Sequence, residues 1–99
     1  MILESAILIV KQGLENQFEN DFDLASKYIS AADGYLGHSL HKCIEEPNQY
    51  LLLVKWNSLK DHTKGFRESA DYLEWKRLLH HYYDPFPVVL HYEEIFNDS

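Results

Sequence analysis

One cysteine, Cys43, stands in 99 residues. No internal disulfide framework or multi-thiolate zinc site can be built from it, and such usage fits a reducing compartment. Cations are scarce too: nine Lys and Arg against sixteen Asp and Glu give a formal charge of −7 and a pI near 5.2. A chain so acidic has no basic face to displace counterions from phosphates, so neither a nucleic acid nor a membrane is expected as partner. The four glycines and three prolines are too dispersed to form a linker, and no repeat or low-complexity tract is present. No apolar run approaches the roughly 20 residues of a membrane span. The opening Met1-Ile2-Leu3-Glu4 lacks the basic start and cleavage site of a secretory leader, so the expected location is cytoplasmic. With no Ser-His-Asp order, phosphate loop or dinucleotide fingerprint, hydrolase and nucleotide-dependent chemistry have no support.

Apolar residues make up 45% of the chain and aromatic ones 14%, the composition of a globular protein. At this length residues 1–99 form one domain, with a core modest enough that a second subunit would help it. Ile7-Leu8-Ile9-Val10 sits in a β-branched, apolar stretch that predicts a strand over residues 2–11, closed by Gly13. From residue 14 to about 32, Leu14, Phe18, Phe22, Ala25, Ile29 and Ala32 recur at helical spacing, with early acids at the N-terminal end and Asp33-Gly34 as a left-handed stop. A strand over 35–44, a turn at Glu45-Glu46-Pro47-Asn48 and a strand over 49–56 make a hairpin. Two helical patterns follow, and Asp84-Pro85-Phe86-Pro87 ends the second before a last strand over 88–95.

The predicted order, βαββαβ, defines an α+β, ferredoxin-like domain whose four-stranded antiparallel sheet carries both helices on one face. In Tyr50-Leu51-Leu52-Leu53-Val54 and Ile7-Leu8-Ile9-Val10 the residues on both alternating faces are apolar, as in strands buried on two sides. The helices cover one side only. The expected cover for the other is the sheet of a second copy, which makes a homodimer through the sheet face.

The segment from Trp56 to Tyr83 holds the densest functional side chains. Ser58 is placed to cap a short helix, with Asp61 three residues on and Leu59, His62 and Phe66 expected on its inward face. Ser69 is placed to cap a longer helix running to about Tyr83, with Tyr72, Trp75 and Leu79 recurring along it. A His, an Arg, two Trp and several Tyr therefore converge beside the sheet.

These features together resemble the antibiotic biosynthesis monooxygenase (ABM) family of dimeric α+β barrels. The resemblance rests on Gly34-Tyr35-Leu36-Gly37-His38, the Pro47 to Trp56 hairpin, the Trp56-Asn57-Ser58 junction, His62 with Phe66-Arg67 and Ser69, Trp75, and Val88-Val89-Leu90-His91-Tyr92-Glu93. It implies a monooxygenase that oxidises a small electron-rich aromatic or quinol with O₂, without metal, flavin or other cofactor. Haem degradation, another activity of that family, is the weaker enzymatic option here, because the first strand holds no Asn. A dimeric barrel that binds a small molecule without turnover, or serves as a stress-related module, is the alternative from a different class.

Triplet oxygen reacts slowly with a closed-shell phenol, so such an enzyme needs a base, an apolar cavity and a donor to steady the developing anion. His62 is the first choice as base, with His38 and His91 as alternates on strands. Arg67 is the candidate anion stabiliser, and Trp56, Phe66, Tyr72 and Trp75 the candidate cavity wall. The plainer readings are a hydrogen-bonded core histidine, an Arg paired with Glu68 or Asp71, and an aromatic core. For a metal, His38 and His41 fall on opposite strand faces and the adjacent His80-His81 point about 100° apart. This leaves only a set of His62, His80 and His91 assembled across the fold, and no metal is expected. Cys43 lies in no activating pattern and reads as an ordinary strand residue.

Overall fold

Alternation in the first strand sets the architecture. In a computed structural model that describes residues 1–98, strand β1 (Ile2–Ile9) points Glu4, Ala6 and Leu8 inward and leaves Ile7 exposed on the opposite face. Helix α1 (Glu15–Ser30) follows, then β2 (Tyr35–Lys42), β3 (Gln49–Trp56), a π-helical turn (Asp61–Phe66), α2 (Ala70–Leu79), a 3₁₀ turn (His80–Tyr82) and β4 (Val89–Glu93). The sheet order is β2-β3-β1-β4 with every neighbour antiparallel, the ferredoxin-like arrangement expected from the element order.

The helices lie on the inner face. Phe18, Phe22, Ala25 and Ile29 of α1 are buried with Trp75 and Leu79 of α2 against Leu8, Tyr50, Leu52 and Val54 of the sheet. Aromatic contacts tie the layers together: Phe18 meets Tyr50 at 4.9 Å between ring centroids, and Phe22 meets Trp75 at 5.6 Å. On the outer face Ile7, Leu51, Leu90 and Tyr92 are exposed, so the strands that read as buried on both sides are covered on one side within a single chain.

The region after β3 departs from expectation in an instructive way. Ser58 and Asp61 do form the anticipated reciprocal cap: the Ser58 N–H and hydroxyl donate to Asp61 Oδ2 at 3.1 and 3.0 Å, and the Asp61 N–H donates to Ser58 Oγ at 3.3 Å. The turn that follows is π-helical, with the Arg67 N–H donating to the His62 carbonyl at 3.1 Å. Leu59, expected to face inward, is therefore exposed, while His62 and Phe66 are buried. Ser69 caps α2 as anticipated, its Oγ accepting from the Tyr72 N–H at 3.1 Å. That helix tightens into the 3₁₀ turn at His80 instead of running to Tyr83, and the strands expected over 2–11, 35–44 and 88–95 close sooner.

Gly34 locks the first half of the fold to the second. It adopts φ +79° after α1, its carbonyl accepts from the Asn57 N–H at 2.7 Å, and a Cβ placed there would lie 2.1 Å from Asp61 Oδ2. Gly13 also has a left-handed φ, +91°, with nothing within 4 Å of such a Cβ. A left-handed non-glycine residue costs about 1–2 kcal/mol, so Gly13→Ala should lose roughly that much. Gly34→Ala must also displace the capping carboxylate and should lose about 1 kcal/mol more, on the scale of a broken cap. Urea unfolding of the two variants measures the difference; equal losses would show that Asp61 gives way freely.

Candidate active site

The site is built from β1 outward. Glu4 is the one acid on the inner face of β1, only 5% exposed. Antiparallel register sets His91 of β4 directly across from it and Val54 of β3 on its other side, so Trp56, two residues further along β3, is its diagonal neighbour. The Trp56 indole N–H donates to Glu4 Oε1 at 2.9 Å. From above, the π-helical turn lowers His62 onto these residues: its Nε2 lies 3.3 Å from the same Glu4 oxygen and its Nδ1 is 2.8 Å from His91 Nε2. The imidazole stacks on the Trp56 indole, with ring centroids 5.2 Å apart and planes 17° apart.

Burial dominates the electrostatics. It pushes the Glu4 carboxyl above its ordinary value, opposed by the Trp56 hydrogen bond and the Arg67 charge. Burial, and then the charges of Arg67 and His91, lower His62 to about 3, so the ring is neutral near pH 7 and its contact with Glu4 is polar but not an ion pair. His91 is lowered as well, by burial and then Arg67. With Glu4 ionised, the hydrogens have one consistent order. Trp56 and His62 Nε2–H point at Glu4 Oε1, and His91 Nε2–H donates to His62 Nδ1.

Glu4 and His62 of this cluster face a cavity of about 400 Å³ between the sheet and the second helical region. Glu4, His62 and Arg67 all line it, and Phe66, Tyr72, Trp75, Tyr83 and Phe86 supply aromatic wall. Arg67 is exposed at the rim and, among the described residues, makes no ion pair with Glu68, Asp71 or any other acid. Trp56, expected in the wall, lies fully buried behind His62 as its support. His38 lies outside the cavity on the opposite edge strand, bonded to the Tyr35 hydroxyl and 3.2 Å from Ser26 Oγ. Among the described residues no three His, Cys, Asp or Glu side chains gather where one cation could sit, and His62 lies between Glu4 and His91 instead of beside them around a shared point. Glu4, Tyr83 and Phe86 were not picked out from the sequence as site residues, and His80 only as a member of a possible metal set. Glu4 was there to be found, a lone carboxylate at an inward-facing position of an apolar strand.

The ferredoxin-like fold is shared with solved structures. A crystal structure from Bordetella bronchiseptica described as an antibiotic biosynthesis monooxygenase aligns with a TM-score of 0.91 and 35% identity, over 96% of this chain and 97% of that one. SnoaB of Streptomyces nogalater, a cofactor-independent oxygenase, aligns with a TM-score of 0.84 over 97% and 94% of the two chains, and at 14% identity that likeness is one of fold. Over 95 residues the chain is 53% identical to YczJ, an uncharacterized protein of Bacillus subtilis strain 168, covering 96% of this chain and 100% of the relative. The antibiotic biosynthesis monooxygenase profile matches residues 1–78, and the chain belongs to that family. Among the described residues no helix is long and apolar enough to cross a membrane.

The buried histidines tie stability to pH. His62 is held at about 3 and His80, through burial and then the Lys76 charge, at about 4, both below the ordinary 6.5. On acidification the unfolded chain takes these protons first, so their contribution is complete above pH 6.5 and drains away as pH falls toward 4. Glu4, shifted upward, has the opposite sign and offsets part of the loss. Urea midpoints should fall between pH 7 and pH 4, and less steeply in His80→Gln; a wild-type midpoint constant across that range would contradict the assignment of neutral histidines.

Proposed function

We propose that this protein is a cofactor-independent monooxygenase that oxidises a small electron-rich phenol or hydroquinone with O₂ in the cavity above β1. The observation that carries this reading is that Arg67, His62 and a third polar group, Glu4, line one cavity whose remaining wall is mostly aromatic and aliphatic side chains. A phenol with a free para C–H becomes a quinone, one oxygen atom entering the ring and the other leaving as water. A hydroquinone becomes a hydroxyquinone with the same stoichiometry. The substrate supplies all four electrons, so the balance needs no external reductant. Enclosure holds the aromatic and O₂ together, and the Arg67 guanidinium, free of an ion pair among the described residues, steadies the oxyanion.

A second reading, a dimeric barrel that binds an aromatic without turning it over, draws on one observation: both ring nitrogens of His62 already have protein neighbours. Oxygen uptake separates the two. Chelator-treated, flavin-free protein should consume O₂ with hydroquinones and polycyclic phenols faster than autoxidation. Arg67→Ala, folded by circular dichroism, should lose ~10²-fold in kcat/KM, the scale of a lost oxyanion donor. Rates equal to autoxidation across the panel, with saturable binding of the same phenols, would replace the oxygenase with the binding protein.

The acting unit in this reading is a homodimer joined through the outer face of the sheet. Ile7 is 54% exposed and Leu90 51%, and with Leu51 and Tyr92 they spread an apolar surface across three adjacent strands. Light scattering at micromolar concentration should give twice the 11.7 kDa chain mass, and Ile7→Glu should shift it toward one. A wild-type monomer would remove the dimer.

A further inference from the structure

The natural choice of base from the sequence is His62, yet the geometry gives it no free nitrogen. Nε2 lies against Glu4 and Nδ1 against His91, with the ring face on Trp56. Glu4 is placed differently. Its Oε1 takes the Trp56 N–H and stands next to His62, while its Oε2 has no protein partner among the described residues. No enclosed side-chain oxygen or nitrogen among those residues is left without a partner, and Glu4 lines the cavity, so the remaining surface of Oε2 opens into it.

Resting on the oxygenase reading above, we infer that Glu4 is the catalytic base, taking the substrate proton on Oε2, and that His62 and His91 are positioning residues that hold Oε1 in place. The step balances. The substrate O–H breaks, leaving its electron pair on oxygen and the proton on Oε2. The phenolate passes one electron to O₂, and the resulting radical pair joins at the ring carbon as a peroxide anion. Glu4 returns the proton to the outer peroxide oxygen. It then takes the ring C–H proton as the O–O bond breaks, and passes that proton to the departing hydroxide, which leaves as water while the carbon becomes a carbonyl. Glu4 ends ionised, ready for the next substrate.

The electrostatics agree with this placement. A base works best near the operating pH, and burial moves Glu4 upward toward that range while it moves His62 down to about 3. The groups facing Glu4 are Trp56 from β3, His62 and Arg67 from the π-helical turn and its end, and His91 from β4 beyond His62. Tyr72, His80 and Tyr83 share the cavity from the second helical region. Of the charged neighbours, Arg67 favours the ionised carboxylate.

The test compares wild type with Glu4→Gln, Glu4→Asp and His62→Gln in oxygen uptake on 1,4-dihydroxynaphthalene across pH 4 to 9. Glu4→Gln keeps an oxygen for the Trp56 N–H and should fold. It should lose at least ~10²-fold in kcat with KM within about threefold, recovering as rising pH ionises the substrate in solution, and Glu4→Asp should restore part of the rate. Wild-type kcat/KM should rise with pH along a limb above the ordinary carboxylate value of 4.5, absent in Glu4→Gln and displaced but retained in His62→Gln. Retention of rate and limb in Glu4→Gln, with loss of both in His62→Gln, would overturn the assignment and return the base to His62 while leaving the oxygenase intact. Absence of uptake by the wild type would remove both.

Discussion

A carboxylate buried beneath the π-helical turn is the constraint to which the rest of this molecule answers. Moving an unpaired carboxylate out of water costs several kcal/mol, and a chain of 99 residues has little stability to spare. Glu4 is tolerated because three elements are arranged around it. β3 delivers the Trp56 indole N–H at 2.9 Å, the π-helical turn delivers His62 and Arg67, and β4 delivers His91 to hold His62. Replacing Glu4 by an apolar residue would leave the Trp56 N–H and the His62 ring without their acceptor, so the cluster is satisfied as a unit.

The π-helical turn explains why Arg67 belongs to that unit. In an α-helix, residues five apart point roughly 140° from one another, which would send Arg67 away from a buried His62. A π-helical turn has about 4.4 residues per turn, bringing residues four and five apart onto nearly the same face. His62, Phe66 and Arg67 accordingly all reach the cavity, and Leu59, which α-helical spacing would place beside His62, is left in solvent. The Ser58–Asp61 cap fixes where the turn starts, and Gly34, packed against Asp61 with no side chain of its own, lets the cap sit against the end of α1.

Most of the fold was legible because it depends on periodicity. The spacing of Phe18, Phe22, Ala25 and Ile29 and the alternation along β1 and β3 lead to helices and strands with few rivals, and Ser58 and Ser69 announce helix starts by the hydrogen bonds they accept. The inward residues of the second helical region were harder, because an α-helical period was applied to a turn that does not follow it. The cavity was least legible. Its polar group on the sheet, Glu4, lies 52 residues from its Trp56 partner, and nothing local announces that pairing beyond a charge where an apolar residue would be ordinary. His38 poses the same difficulty in reverse. A histidine on a strand fits either a site or a structural bond, and only the tertiary fold assigns it to Tyr35 and Ser26 on the far edge.

Seating the acid on β1 has a further consequence. β1 is hydrogen-bonded on both sides, to β3 and β4, as β3, which carries Trp56, is to β1 and β2, whereas His62, Arg67 and His91 come from a short irregular turn and an edge strand. The fixed members are therefore the carboxylate and the Trp56 indole, and the members able to adjust are the imidazole and the cation above them. β1 also presents Ile7 to the outer face while presenting Glu4, Ala6 and Leu8 to the inner one. A second copy packed on that outer face would stiffen the strand that carries the carboxylate without touching the cavity, so the same alternation of side chains that builds the core would couple assembly to the placement of the acid.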